Sequence, residues 1–203
     1  MSSQNPSNSG VIGLGIIGSR IAAHLRTEGL QVHTWNRSKK EDPGFLDSAK
    51  AVAENTDLIQ IFVRNGQDTL EVINTIADAL TNDHLVVSHA TIAPNDAHKA
   101  ADAVAATGAR FLEAPFTGSK VAAQDGQLVF YTAGDPATLD LARPLLELCS
   151  KNILPCGEQF GNAAVIKIAT NMVTGATVAI LAEALTLCQK TTSIPISSPM
   201  PSN

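Results

Sequence analysis

The chain has 203 residues, of which 44% are hydrophobic and 16% charged, and its net charge is −5. That length suits one well-cored domain with an appendage, in a composition typical of soluble globular proteins. The acidic balance removes any electrostatic reason to expect nucleic acid or an anionic membrane as partner, so the expected ligand is a small molecule.

Residues 1–9 are polar and uncharged, carry no secretory signal and are expected to be disordered. From residue 10 onward, short apolar runs alternate with helical patterns, which is the signature of βαβ units around a parallel sheet. Strands are predicted near residues 10–14, 31–35, 58–63, 84–88, 110–114, 128–133 and 153–156. Helices are predicted near 17–28, 48–55, 67–80, 94–107 and 136–150. Gly29 is placed to end the first helix, and Asp135 before Pro136 offers an N-cap oxygen ahead of a residue whose missing N–H does no harm there. Asp42, Pro43 and Gly44 make a turn between the second and third strands, so a trimmed crossover is expected. Residues 161–190 read as a single helix, ~45 Å long at the usual rise per residue. Only Lys167, Glu183 and Lys190 carry charge in it. A helix apolar on nearly every face must be buried on nearly every face, and a second subunit is the expected cover. Its longest charge-free run, 15 residues, is short for a membrane span, and residues 191–203 form a Ser/Pro-rich tail expected to be disordered. The fold class expected is therefore α/β: a Rossmann-type, doubly wound, mostly parallel sheet over residues 10–160, followed by one long C-terminal helix over 161–190 that opens a truncated helical domain.

Gly13, Leu14, Gly15, Ile16, Ile17 and Gly18 form a G-x-G-x-x-G turn between the first strand and the first helix. Gly13 permits the tight turn, Gly15 lets the backbone approach a pyrophosphate, Gly18 lets helix and strand pack closely, and the helix start supplies N–H donors to the phosphates. Where an NAD enzyme usually places an acid to hold the ribose 2′-hydroxyl, this chain has Asn36, Arg37 and Ser38, followed by Lys39 and Lys40. A guanidinium can pair with a 2′-phosphate that a carboxylate would repel, so NADP(H) is favoured over NAD(H). Val63 and Arg64, at the end of the third predicted strand, complete this candidate cofactor set.

Thr117, Gly118 and Ser119 follow the strand near residues 110–114, and a turn there presents a hydroxyl and successive N–H groups suited to a carboxylate. Lys167 lies on an otherwise apolar helix surface with Asn171 one turn later. Burial lowers the pKa of an ammonium, which fits it to donate a proton near neutrality. Cys149, Cys156 and Cys188 are odd in number and lack C-x-x-C spacing, so neither a disulfide framework nor zinc is expected, and a reducing, cytoplasmic compartment fits. His33, His84, His89 and His98 show no metal-ligand spacing, and His89 is expected to line a loop after its strand.

Taken together, the glycine turn, N-R-S at 36–38, A-T-I-A-P at 90–94, E-A-P-F-T-G-S-K at 113–120 and G-N-A-A-V-I-K-I-A-T-N at 161–171 resemble, in order and spacing, the β-hydroxyacid dehydrogenases. Within that family the chain most resembles the glyoxylate and succinic semialdehyde reductases. The resemblance implies hydride transfer between NADPH and the carbonyl carbon of a small, carboxylate-bearing aldehyde or keto acid. It implies that Lys167 protonates the developing alkoxide, Asn171 orients substrate or lysine, and Thr117, Gly118 and Ser119 hold the carboxylate, with Thr117 also near the chemistry. Thr91 matches a residue near nicotinamide and substrate, and a homodimer sharing the long helix is implied. Thr117 stands where the family usually has serine, and Ala90 precedes Thr91 where family members often show Ser-Thr. The family continues into a helical domain that closes the pocket, whereas this chain carries its first helix. A catalytically weak or inactive NADP-binding protein is therefore the alternative. Imine reductases commonly lack the lysine, and 6-phosphogluconate dehydrogenases have a histidine near it that is absent from residues 161–171.

Overall fold

The computed structural model describes residues 6–191. Residues 1–5 and 192–203, on which most of the two disordered-terminus expectations fall, lie outside the described residues. The strands are β1 (Asn8–Ile12), β2 (Gln31–Trp35), β3 (Leu58–Ile61), β4 (Leu85–Ser88), β5 (Arg110–Glu113), β6 (Phe116–Thr117), β7 (Leu128–Thr132) and β8 (Ser150–Pro155). The helices are α1 (Gly18–Thr27), α2 (Ala49–Asn55), α3 (Gly66–Ile76), α4 (Pro94–Ala105), α5 (Lys120–Gln124), α6 (Pro136–Leu148) and α7 (Asn162–Thr191).

Five parallel strands form the main sheet in the order β2-β1-β3-β4-β5. The order reverses at β1, and such a switch point opens a crevice beyond the carboxyl ends of the strands on either side of it. A second sheet, β6-β7-β8, has β6 antiparallel to β7 and β7 parallel to β8. The seven predicted strands thus divide between two sheets: the chain runs on past β5 through Pro115, and Phe116 and Thr117 pair antiparallel with β7. An antiparallel bridge between Glu113 and Ala133 ties the sheets together. β6 and α5 were absent from the sequence expectation, being too short to show a period.

Alternation along the strands fills a core on each face of the main sheet. Val11, Leu85, Val87 and Leu112 point to one face with Ile21, Leu25, Phe130 and Leu145, while Ile12, Ile59, Ile61 and Val86 point to the other with Val52, Ile73, Ile76 and Val104. Each such side chain, once fully buried, contributes about 1.5–3 kcal/mol. One polar seam interrupts the first face. The Gln60 amide donates to Ser9 Oγ at 3.3 Å, and His89 places Nε2 3.1 Å from the Gln60 carboxamide and Nδ1 2.8 Å from the Ala114 carbonyl. His89 follows β4 outside any strand, as expected from sequence, but it is 2% exposed and stacks on Phe62 at 4.3 Å between ring centroids, so it belongs to the core. Burial lowers its pKa from 6.5 to about 4, against the hydrogen bond to Ala114.

Local ends behave as their residues dictate. Gly29 leaves α1 at φ +90, and Asp135 caps α6 by accepting from the Thr138 N–H at 3.0 Å. β1 starts at Asn8, so Asn8 and Ser9 join the sheet ahead of the predicted start, and it stops at Ile12 because Gly13 turns the chain. The crossover after β2 is trimmed to the seven-residue α2. Asp42 fastens it by accepting from Arg26 (2.9 and 2.5 Å), Thr34 Oγ1 (2.6 Å) and the Gly44 N–H (3.1 Å). Burial raises the Asp42 pKa, but these donors, Arg26 foremost, outweigh it and hold the carboxyl below its ordinary value.

The chain divides into two compact units at Lys167. The second contains the remainder of α7, whose side chains from Asn171 to Lys190 are exposed, with Met172, Val173, Ile180 and Leu187 among them. Among the described residues one helix, Asn162–Lys190, is long and apolar enough to cross a membrane, with a mean hydropathy of 1.6. This corrects the expectation that it is too short and polar, which counted only the charge-free run and gave no weight to the apolar residues beyond Lys167 and Glu183.

Candidate functional site

A cavity of about 310 Å³ opens at the switch point, lined by the glycine turn, the ends of β2 and β3 and one face of α3. Each glycine of the turn has its own steric reason. Gly13 has φ +101, and a Cβ there would collide with the Phe62 carbonyl of the neighbouring strand. A Cβ on Gly18 would collide with the Gly13 carbonyl, so α1 can rest on the turn only without one. Gly15 faces open space, with no heavy atom within 4 Å of where its Cβ would be. That is the vacancy a pyrophosphate requires beside the orphan N–H groups of a helix start.

Asn36 braces this turn from β2. Its Oδ1 accepts from the Leu14 N–H at 2.9 Å, and its Nδ2 donates to the Ser38 carbonyl at 2.8 Å and to Ser38 Oγ at 3.1 Å. The Leu14 N–H is therefore committed within the protein. Gly13, Gly15, Asn36, Arg37, Val63 and Arg64 line the cavity as expected of a cofactor site; Leu14, Ile16, Ile17, Gly18, Ser38 and Thr91 do not.

Arg37 is engaged. Its Nη2 donates to Glu71 Oε2 at 2.8 Å and to Asp68 Oδ1 at 3.1 Å, while Arg64 Nε donates to Asp68 Oδ2 at 3.2 Å. The Arg37 hydrogen bond and the Arg64 charge outweigh burial and hold Asp68 below its ordinary pKa. Acids thus reach this cavity after all, from α3 and not from the end of β2. Asp68, Glu71, Val72 and Thr75 all line the cavity, and sequence reasoning missed them. Their i, i+3, i+4, i+7 spacing, on the helix after the third strand, was the available signal.

The second cluster gathers at the start of α7. Glu113, 1% exposed at the end of β5, accepts from the Gly161 N–H at 2.6 Å and from the Ala164 N–H at 2.7 Å, so its two oxygens satisfy orphan donors of the helix. Burial pushes its carboxyl pKa up, against these two donors. A Cβ on Gly161 would meet Pro94 at 2.7 Å, so the helix start also rests against the start of α4. Thr91 lies three residues before Pro94 and Thr117 four after Glu113, the two residues against which the start of α7 is held. Lys167 follows on α7 and is 8% exposed, and burial lowers its pKa. Asn171 is exposed, in the second unit.

Thr117 is half-buried in β6, Gly118 has φ +141 with Leu128 where a Cβ would go, and Ser119 caps α5 by accepting from the Ala122 N–H at 3.2 Å. That cap leaves the Ser119 hydroxyl proton as a donor. Thr91 is exposed between buried Ala90 and Ile92. In sequence Glu113 stands only within a motif; its burial and capping role depend on a contact 48 residues away, which local pattern does not reveal.

A parallel sheet reversing at β1, with a glycine turn open at Gly15 above the crevice, defines a Rossmann-type dinucleotide-binding domain. The chain belongs to the family described as the NAD binding domain of 6-phosphogluconate dehydrogenase, whose profile matches residues 8–157. It is 34% identical over 191 residues to glyoxylate/succinic semialdehyde reductase 2, chloroplastic, of Arabidopsis thaliana, covering 89% of this chain and 53% of that protein. It is 29% identical over 196 residues to 2-hydroxy-3-oxopropionate reductase of Escherichia coli strain K12, covering 92% and 67%. A Mycobacterium tuberculosis 3-hydroxyisobutyrate dehydrogenase, solved with L-serine, matches with a TM-score of 0.85 at 26% identity over 91% of this chain and 66% of that one. The chain is thus related to oxidoreductases of the β-hydroxyacid dehydrogenase family, and it spans about half of the Arabidopsis protein's length.

Proposed function

We propose that the protein is an NADP(H)-dependent reductase of a small aldehyde or keto acid bearing a carboxylate, of the glyoxylate or succinic semialdehyde type. The observation that carries this reading is a lysine, Lys167, buried near the foot of a helix whose start is held by Glu113 and rests against Pro94. The glycine turn would hold the pyrophosphate through the N–H groups of Ile16, Ile17 and Gly18, and Arg37 and Arg64 would attract a 2′-phosphate. Bound there, a nicotinamide nucleotide supplies the hydride.

In this reading Thr117, Gly118 and Ser119 bind the substrate carboxylate with two hydroxyl protons and backbone N–H groups, and Thr91 lies near the nicotinamide and the substrate. Lys167 delivers a proton from Nζ to the carbonyl oxygen as negative charge develops on it, and its burial makes that proton easier to release. Asn171 orients the substrate or the lysine. The cysteine pattern supports a cytoplasmic setting, and the exposed apolar residues of α7 support a homodimer formed through residues 161–190. The test is loss of NADPH absorbance with glyoxylate and with succinic semialdehyde. Lys167→Ala is expected to abolish turnover while NADPH still binds, and turnover unchanged in that variant would sink the chemistry. A second reading, a nucleotide-binding protein with little or no turnover, draws on the exposure of Asn171, and NADPH binding without oxidation by either substrate would favour it.

A further inference from the structure

We infer that Glu71, assisted by Asp68, limits cofactor selectivity at the adenosine end by competing with a 2′-phosphate for Arg37. The inference rests on the dinucleotide reading of the cavity. All four charged groups that line that cavity, Arg37, Arg64, Asp68 and Glu71, are linked: one nitrogen of Arg37 serves both acids, and Asp68 is shared by both arginines. Two cations and two anions leave the pocket formally neutral.

A phosphate monoester, at about −1.5 to −2 near neutrality, gains most from an unengaged guanidinium. Here it must displace or share Arg37 Nη2 while sitting near the Glu71 carboxylate, and both effects oppose it. A ribose 2′-hydroxyl meets the opposite situation, since it donates a hydrogen bond that a carboxylate accepts. The α3 acids therefore do, from across the crevice, what an acid at the end of β2 does in an NAD site. Arg37 favours NADP(H), Glu71 and Asp68 favour NAD(H), and the site discriminates less than the N-R-S motif alone would indicate.

Glu71→Gln is the decisive variant, because Glu71 is exposed, keeps its shape as glutamine and contributes nothing to the core. Titration of this chain with NADPH and with NADH, followed by calorimetry, is expected to show NADPH bound about three- to fivefold more tightly by the variant, the size of one partly screened charge, with NADH unchanged or weaker. The same substitution placed on Arg37→Ala is expected to give a smaller gain, because the freed guanidinium is missing. An unchanged NADPH to NADH affinity ratio in Glu71→Gln, in a protein that binds both, overturns the inference and leaves the dinucleotide reading standing. Binding of neither nucleotide by the unmodified chain overturns both.

Discussion

Replacing Glu113 with alanine is expected to loosen the foot of α7 and destabilise the first unit. Its two oxygens accept from the Gly161 and Ala164 N–H groups at 2.6 and 2.7 Å, in a position 1% exposed. Hydrogen bonds to a charged acceptor contribute about 1.5–3 kcal/mol each, and the truncation leaves both donors without their acceptor, so the loss is about 3–6 kcal/mol. At roughly 2–4 °C per kcal/mol for a domain of this size, Tm is expected to fall by at least ~6 °C. Glutamine at this position keeps the volume and one acceptor oxygen but turns an N–H2 toward an N–H, so it is expected to recover part of the loss and no more. Thermal unfolding by circular dichroism reads the first quantity, and hydrogen exchange at the Gly161 and Ala164 amides reads the local one. A Glu113→Ala protein melting with the unmodified chain, its two amides still protected, would refute the capping role and with it the account of how Lys167 is positioned.

Gly15→Ala and Gly18→Ala are expected to separate binding from folding. The first faces open space and is expected to leave Tm unchanged while weakening NADPH binding by at least about tenfold, whereas the second forces α1 off the Gly13 carbonyl and costs about 1–3 kcal/mol; equal effects on Tm would contradict the steric assignment. With its folded pKa lowered from 6.5 to about 4, His89 stays neutral in the fold while the unfolded chain takes up the proton, so stability falls as pH drops through that window and is flat above it. The loss by pH 4 is roughly 3 kcal/mol, and a His89→Gln chain with the same pH slope in denaturant titrations would show that the proton goes elsewhere. Light scattering is expected to report a dimer, since an exposed apolar helix needs a cover; a stable monomer in solution would remove the proposed role of α7.

Much of the first unit was legible in sequence because its signals are local. A glycine turn after an apolar run, a cap residue before proline and an Asp-Pro-Gly turn each act within a few residues, and β1, α6 and the trimmed crossover sit close to where those signals put them. What stayed hidden depends on distant partners. Arg37 reads as a free cation in N-R-S, yet its neighbours Asp68 and Glu71 lie more than thirty residues on. His89 lies after its strand as read, but its burial between Gln60 and Ala114 depends on residues more than twenty positions away. The division into two sheets turns on Phe116 and Thr117, two residues that pair with β7 and carry no periodicity of their own.

The Ser9, Gln60 and His89 seam also acts as a key for strand alignment. If β1 or β3 slid by one residue, every side chain on that strand would change faces, and Ser9 or Gln60 would enter the opposite aliphatic layer with nothing to bond. A purely greasy interior would tolerate several offsets, whereas this one penalises mispairing at the strands that frame the cofactor crevice. The accuracy of the glycine turn therefore begins with three polar side chains buried beneath it.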